Sequence, residues 1–319
     1  MTYGARIFFI IFAFQLLIAN PISLEYPIIP IIDCHDLNQN GYPDFIAVNH
    51  SHIPKSLYHI EFNGSEVKYL WKYSMPANIK SYFAHMILGD FDNNGTHELI
   101  VAAYPDEKKN IFYIFSVDIM GSFTKVPKLL GINDSSIKIT HPSKLYSTSS
   151  DIVGPKMFLL TQGGPNRHIF IFEYINGKII SRGSYGNRFL NRTIGPLELS
   201  LGKFDSDNGE DIFILSNSPN PEGYFIFSNG KEKKVTMNNY PHLRKLYNKG
   251  VDLNYDGIDD LLMVNQASGL MSNIWEAESI SLPDINVQDI GVSLDNGLIH
   301  LNSINQMGKI SHYTIDPLT

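Results

Sequence analysis

Four stretches of the chain repeat one order of polar and apolar positions. Oxygen-bearing side chains stand at alternate places, a turn residue follows, then an acid, then four apolar residues. The stretches are 36–48 (DLNQNGYPDFIAV), 90–102 (DFDNNGTHELIVA), 203–215 (KFDSDNGEDIFIL) and 252–264 (DLNYDGIDDLLMV). Their apolar runs, 45–48, 99–102, 212–215 and 261–264, read as strands covered on both faces. The segments that follow alternate. Tyr58, Ile60 and Phe62 share one face while Leu57, His59 and Glu61 share the other, and Ile169, Ile171 and Glu173 oppose Phe170, Phe172 and Tyr174. Convincing helical periodicity is absent throughout.

The spacing organises these strands. Loops start at 36, 90, 203 and 252, which leaves room for one further copy near 147–149. Residues 144–161 (KLYSTSSDIVGPKMFLLT) fill that gap as a copy that has lost its loop acids and kept Phe158, Leu159 and Leu160. Asn-Gly pairs at 63–64, 176–177 and 229–230 mark hairpins within three repeats. Each unit then reads as acidic loop, buried strand, strand at an exposed rim, Asn-Gly turn and strand. A period of about 50 residues with several strands per unit predicts a β-propeller. The expected fold is all-β, a single propeller domain over 22–319 with about six (five to seven) four-stranded blades. Residues from Asp295-Asn296-Gly297 onward form part of the last blade, and a strand from residues near 22–35 closes the ring. An open stack of repeats or a pair of sandwiches is the rival architecture.

Composition adds constraints. Hydrophobic residues make up 43% and charged residues 18%, enough for a buried core. The aromatic content leans on 17 Tyr and 19 Phe, which favours strands. The lone Cys34 excludes an internal disulfide framework. The net charge of −7 argues against a broad nucleic-acid surface, and no nucleic-acid partner is expected. Residues 1–20 place Arg6 ahead of an apolar run, 7–19, broken only by Gln15. The run is shorter than the roughly 20 residues a bilayer span needs. It reads as a secretory signal peptide with an uncertain cleavage site, a retained anchor being the alternative. The expected location is secreted, periplasmic or cell-surface, without membrane contact unless the leader is kept.

The alternating loop oxygens have a chemical reading. A tight turn can aim positions 1, 3, 5 and 9 and the position 7 carbonyl at one hard cation, with glycine at position 6 permitting the bend. The first loop then offers Asp36, Asn38, Asn40, the Tyr42 carbonyl and Asp44. The second offers Asp90, Asp92, Asn94, the Thr96 carbonyl and Glu98. The fourth offers Asp252, Asn254, Asp256, the Ile258 carbonyl and Asp260. The third departs from the pattern, with Lys203 at position 1 and Gly209 one place late. There the ammonium is expected to pair with Asp205, Asp207 or Asp211 in place of a metal. About three calcium sites are therefore expected, with the loop from Lys203 to Asp211 metal-free. Eleven of the 32 acids occupy these loop positions. Carboxylates packed this closely repel one another unless a cation or donors neutralise them. Ion-free Asx-rich turns joining strands are the plainer alternative.

The loop-plus-strand unit resembles the FG-GAP/VCBS repeat of integrin α-subunit-like propellers and many secreted bacterial proteins. Loops 1, 2 and 4 match its D-x-[DN]-x-[DN]-G-x-x-[DE] pattern at positions 1, 3, 5 and 9. The resemblance runs from about residue 30 to 270 and implies a propeller with calcium-binding loops. The Phe-Gly and Gly-Ala-Pro tokens that name the family are absent.

Two kinds of function follow. The main expectation is a non-enzymatic interaction or adhesion module that binds a protein or glycan ligand on a propeller face, with no catalytic residue. The alternative is a carbohydrate-active propeller, such as a polysaccharide lyase, or a lectin. An enzyme would draw its base from His50, His52, His59, His85, His97 or the Arg167-His168 pair, whereas a lectin would stack sugar on Trp71 or Trp275.

Overall fold

In a computed structural model of the chain, the described residues are 17–18, 22–23, 31–34, 36–42, 44–49, 54–62, 66–76, 82–104, 109–134, 136–137, 139, 141–148, 155–161, 168–185, 190, 197–216, 222–236, 244–247, 249–252, 256–265, 270–273, 279–281, 287–295, 298–305 and 309–315, with side chains described only between 36 and 263. They form strands arranged in antiparallel sheets, as the sequence pattern predicts. Two short strands come first, β1 (Leu17–Ile18) and β2 (Ile22–Ser23). The first sheet follows as β3 (Ile31–Cys34), β4 (Asp44–Asn49), β5 (Ser56–Phe62) and β6 (Val67–Ser74). The second holds β7 (Phe83–Gly89), β8 (His97–Ala103), β9 (Phe112–Val117) and β10 (Lys128–Leu130). The third holds β11 (Pro142–Ser147), β12 (Met157–Thr161), β13 (Ile169–Ile175) and β14 (Lys178–Tyr185). The fourth holds β15 (Leu197–Gly202), β16 (Asp211–Ser216), β17 (Glu222–Ile226) and β18 (Glu232–Thr236). The fifth holds β19 (Arg244–Leu246), β20 (Leu262–Asn265), β21 (Leu270–Asn273) and β22 (Ser279–Ser281). The sixth holds β23 (Val287–Asp295), β24 (Leu298–Asn305) and β25 (Lys309–Ile315), with β1 and β2 paired to β25.

The sheets follow one another around a centre. The first strands adjoin in order, β3 to β7, β7 to β11, β11 to β15, β15 to β19 and β19 to β23, and β23 in turn adjoins β3. These are the central strands. At the seam, Ile22 and Ser23 face Ile310 and Lys309, while Leu17 and Ile18 face Thr314 and Tyr313. Residues 31–34 serve instead as the central strand of the first sheet. The degenerate repeat at 144–161 supplies the first two strands of the third sheet, paired from Lys144–Leu160 to Ser147–Met157.

The core lies between sheets. Because side chains alternate across a strand, Leu99 and Val101 of β8 pack towards the first sheet with Ile46 and Val48, while Ile100 and Ala102 pack towards the third with Leu145 and Leu159. The third and fourth sheets share Tyr146, Leu160, Leu199 and Ile214, and the fourth and fifth share Phe213, Leu246 and Met263. Truncating one of these fully buried leucines, such as Leu99→Ala, costs about 2–5 kcal/mol. This explains the unbroken apolar runs after each acidic loop, since both faces of the second strand are covered.

The third strand differs from the expected exposed rim. In β5, Leu57, Tyr58, His59, Ile60 and Glu61 are all buried. The rim is the fourth strand, where Lys68, Tyr69 and Leu70 are exposed. The polar alternation in β5 therefore marks internal partners and not a wet face. The hairpin at Asn176-Gly177 forms as expected, with φ of 48° and 73°, the left-handed pair that tight strand reversals require. The Asn-Gly pair at 63–64 lies outside the described residues.

Candidate functional site

Each acidic loop joins a central strand to the second strand of its sheet, so all four lie at the same end of the sheets. Loops 1, 2 and 4 share one internal scheme. The position 1 carboxylate accepts two backbone N–H groups: Asp36 from Asn40 (2.8 Å) and Gly41 (2.5 Å), Asp90 from Asn94 (3.0 Å) and Gly95 (2.8 Å), Asp252 from Asp256 (3.1 Å) and Gly257 (2.9 Å). The position 5 side chain accepts from position 7: Asn40 from Tyr42 (3.0 Å), Asn94 from Thr96 (2.7 Å), Asp256 from Ile258 (2.8 Å). Gly41, Gly95 and Gly257 have φ of 88°, 84° and 87°, which L-residues seldom adopt. The glycine at position 6 is thus a backbone requirement. Asn254 lies outside the described residues.

The position 9 acid closes each loop. Asp44 accepts from the Leu37 N–H (2.7 Å), Glu98 from Phe91 (2.9 Å) and Asp211 from Phe204 (2.8 Å). All three acids are buried, as is Asp260. The loop acids therefore staple their own backbone first, while each carboxylate keeps further lone pairs.

Loop 2 is the best fit to a divalent ion. Asp90, Asp92 and Glu98 each place an oxygen within 4.8 Å of the others. The Asp92 Oδ1 is buried without a hydrogen-bond partner. Burial lifts the Glu98 carboxyl from 4.5 to about 7, with the charges of Asp92 and Asp90 adding to the lift against the opposing Phe91 and Asp92 N–H groups. The donor set is all oxygen, which suits a hard cation such as calcium.

Loop 1 is built differently. It has two acids, and a third carboxylate arrives from β5, where Glu61 pairs across from Asp44. Glu61 takes the amide groups of Asn38 (3.2 Å) and Asn40, and Lys68 at 3.3 Å. Burial pushes its carboxyl up, but those donors outweigh it and hold the group below the usual range. On its other side Asp44 meets His59, Nε2 to Oδ1 at 3.0 Å, both buried. The turn at 118–122 seats on this loop, since a side chain at Gly121 would meet the Leu37 backbone at 2.9 Å.

Loop 3 also gathers three acids, Asp205, Asp207 and Asp211, within 4.8 Å. Neutralisation comes from an unforeseen direction. No ion pair joins Lys203 to them among the described residues. Instead Asp207 accepts from the Gly209 N–H (2.8 Å), the Ser228 hydroxyl (2.9 Å) and the Asn229 amide (3.1 Å), and Asp211 accepts from the Ser228 N–H (2.8 Å). These donors hold Asp207 below the usual carboxylate range. Burial pushes Asp211 up, opposed by the Ser228 and Phe204 N–H groups. No residue of this loop is left-handed, so Asn208 does not reproduce the glycine turn. The Lys203 N–H donates to Asp259 at 2.7 Å, tying the third loop to the fourth.

A second polar cluster occupies the central strands near their starting ends, away from the loops. Lys144 of β11 pairs with Glu198 of β15 at 2.8 Å. Glu198 also accepts the Leu246 N–H of β19 at 2.6 Å, and the Tyr146 hydroxyl accepts the Leu199 N–H at 3.1 Å. His85 of β7 stacks on Tyr146, ring centroids 5.9 Å apart. Ser200, two residues beyond Glu198 on the same face of β15, is fully buried and its hydroxyl has no hydrogen-bond partner. Of this cluster the sequence reading singled out only His85. The signal it missed is a Glu and a Ser interrupting the apolar strand LELSLG.

The other sequence candidates scatter. His97 is exposed beside loop 2, and His168 packs on Phe170. Trp71 packs between sheets against Phe115 (5.1 Å) and Phe123 (5.0 Å), so it offers no open sugar platform. His50, His52 and Arg167 lie outside the described residues, as does Trp275.

No protein-family model matches the chain, and no curated protein matches it. Solved structures do. The chain is similar to a Penicillium chrysogenum α-L-arabinanase complexed with arabinobiose, at a TM-score of 0.57 and 10% identity, over 95% of this chain and 99% of that one. It is also similar to a point mutant of the NanB sialidase of Streptococcus pneumoniae, at a TM-score of 0.58 and 9% identity, over 93% of this chain and 71% of that one. At such identities the likeness establishes the all-β propeller fold. It also corrects the main functional expectation. The similar structures are named as an arabinanase and a sialidase, not as non-enzymatic adhesion modules, and that expectation is given up.

Proposed function

We propose that this chain is a carbohydrate-active β-propeller, an enzyme that cleaves glycans. The observation that carries the reading is likeness over nearly the whole chain to two propellers named for glycan-degrading activities. A polar cluster on the central strands, beside the apolar packing of the third and fourth sheets, is consistent with it. In this reading calcium in the acidic loops is structural. Asp90, Asp92 and Glu98 hold one ion, and the position 1 and 9 carboxylates of loops 1 and 4 hold others, while Glu61 stays with the Asn38 and Asn40 amides and Lys68. The ion neutralises converging carboxylates and pins each central strand to its neighbour.

The test is product release. Purified protein in millimolar calcium is incubated with arabinan, sialylated glycans and uronic polysaccharides, and new reducing ends and unsaturated products are measured. Release from any of them is the expected result. Absence of both release and glycan binding across the panel overturns the proposal.

A further inference from the structure

We propose that Tyr82, Tyr104 and His141 form a sugar-binding platform, an aromatic shelf on which a neutral sugar ring of a glycan chain stacks through its C–H face. The inference rests on the carbohydrate-active reading and gives it a binding surface and a mode of contact.

Three observations carry it. First, the three rings come together from separate segments. Tyr82 precedes β7, Tyr104 follows β8 and His141 precedes β11, so all stand at the end of the second and third sheets away from the acidic loops. The Tyr82 and Tyr104 rings stack with centroids 5.7 Å apart and planes inclined by 29°, and His141 meets Tyr104 edge-on at 5.9 Å. Second, the shelf is open. Tyr82 is 36% exposed, His141 is exposed and Tyr104 is half-buried. Among the described residues, Tyr82 is the one exposed large apolar side chain at the head of a central strand. The others lie in loop 1, in the β9–β10 connection, or on third and outer strands. Third, the shelf is rigid. The Tyr104 N–H donates to the Tyr82 carbonyl at 2.9 Å, which extends the pairing of β7 with β8 and fixes the two rings as neighbours before any ligand arrives. A preorganised surface lowers the ordering cost of binding.

The chemistry of the rings names the ligand class. An aromatic face is electron-rich, and a sugar with its C–H bonds turned to one side offers a complementary apolar face. The sugar's hydroxyls then need polar partners around the rim. Tyrosine supplies both, with an apolar body and a polar tip. Burial, and after it the neighbouring Tyr104, push the pKa of the Tyr82 hydroxyl up, so this phenol stays neutral and can donate or accept. An uncharged shelf favours neutral arabinose, glucose or galactose units over sialic acid, whose carboxylate gains nothing from a neutral phenol. Trp71, the platform expected from sequence, is packed between sheets, and these tyrosines take its place.

An exposed aromatic group can also be a contact between copies of the chain, so sugar binding and self-association are read together. Calorimetry on the full chain measures binding of arabino-, cello- and galacto-oligosaccharides and of sialyllactose, and sedimentation measures the mass in solution. Wild type is expected to bind a neutral oligosaccharide, and Tyr82→Ala to weaken that binding about tenfold, the scale of one aromatic contact. Tyr82→Phe keeps the ring and should lose less. Tyr69→Ala, at an exposed tyrosine on β6, should bind as wild type. On wild type itself, tyrosine nitration mapped by mass spectrometry should spare Tyr82 when the bound oligosaccharide is saturating and continue at Tyr69. If a glycan is bound or cleaved but Tyr82→Ala binds it as tightly, if Tyr82 stays as reactive under the ligand, or if sialyllactose is preferred, the inference is overturned and the carbohydrate-active reading stands. Loss of self-association in Tyr82→Ala with sugar binding unchanged also overturns it and marks the shelf as a contact between copies. If wild type neither binds nor cleaves any glycan, both fall.

Discussion

The second and third acidic loops each bring three carboxylates within 4.8 Å of one another and compensate them differently. In loop 2 an Asp92 oxygen is buried without a partner and Glu98 is lifted to about 7. In loop 3 the Ser228 and Asn229 donors reach in from the β17–β18 turn, and Asp207 is held low. Convergence of acids is therefore not evidence of an ion by itself. What separates the two loops is whether hydrogen-bond donors have already cancelled the charge. Loop 2 keeps an orphaned carboxylate oxygen that a divalent cation would fill, whereas in loop 3 donors compensate Asp207 and only the buried Asp211 is pushed up.

The largest expected consequence is a pH dependence of ion-free protein. Glu98 binds its proton more tightly folded than unfolded. Between about 4.5 and 7 the native state keeps a proton that the unfolded chain has released, so stability falls as pH rises through this window and the full penalty applies above it. A lift of this size corresponds to about 3 kcal/mol. Denaturant melts in chelator at pH 5 and pH 8 should show that loss in wild type and a much flatter response in Glu98→Gln. Equal slopes in the two proteins would remove the contrast between the loops.

Calcium should produce an effect nearly as large. At a free concentration 100-fold above the dissociation constant it stabilises the folded state by about 2.7 kcal/mol per site. Asp92→Asn should erase the share due to loop 2, whereas Asp207→Asn should leave the thermal shift intact. A reversed result would mean that loop 3 is the ion site. A smaller effect sharpens the other side of the comparison. Ser228→Ala removes one donor to Asp207 and should cost about 1 kcal/mol. If that variant gains a calcium response that wild type lacks, the donors had been standing in for an ion.

The legible part of this molecule is its repeat. The glycine turns at 41, 95 and 257, the covered second strands and the degenerate third unit all follow from local pattern, because each is fixed by residues within one repeat. What escaped the sequence depends on partners from elsewhere in the chain. Glu61 reaches loop 1 from β5, Ser228 and Asn229 reach loop 3 from a later turn, and Lys144 meets Glu198 across 54 positions. The burial of β5 was misjudged for the same reason. Its polar residues look solvent-facing until Asp44 and the loop 1 amides are placed against them.

Lys203 provides the smallest and most discriminating test. Its charge at position 1 invites the idea that an ammonium replaces the metal. Yet Lys203 is exposed and forms no ion pair with a described acid; its charge acts on the Asp259 carboxyl from beyond ion-pair distance, and its direct contacts run through the backbone, with its N–H donating to Asp259 and its carbonyl accepting the Asp259 N–H at 2.8 Å. That link presses the junction of the fourth and fifth sheets together, where a side chain at Gly250 would meet the Asp259 Cβ at 2.5 Å. Lys203→Ala keeps both backbone bonds. It should therefore change stability by no more than about 0.5 kcal/mol, as for an ordinary surface substitution, and leave calcium stoichiometry unchanged. Asp259→Ala removes the acceptor and should cost more than Lys203→Ala. If Lys203→Ala is the more damaging of the two, or if it opens a new ion site, then the side chain and not the backbone neutralises the third loop.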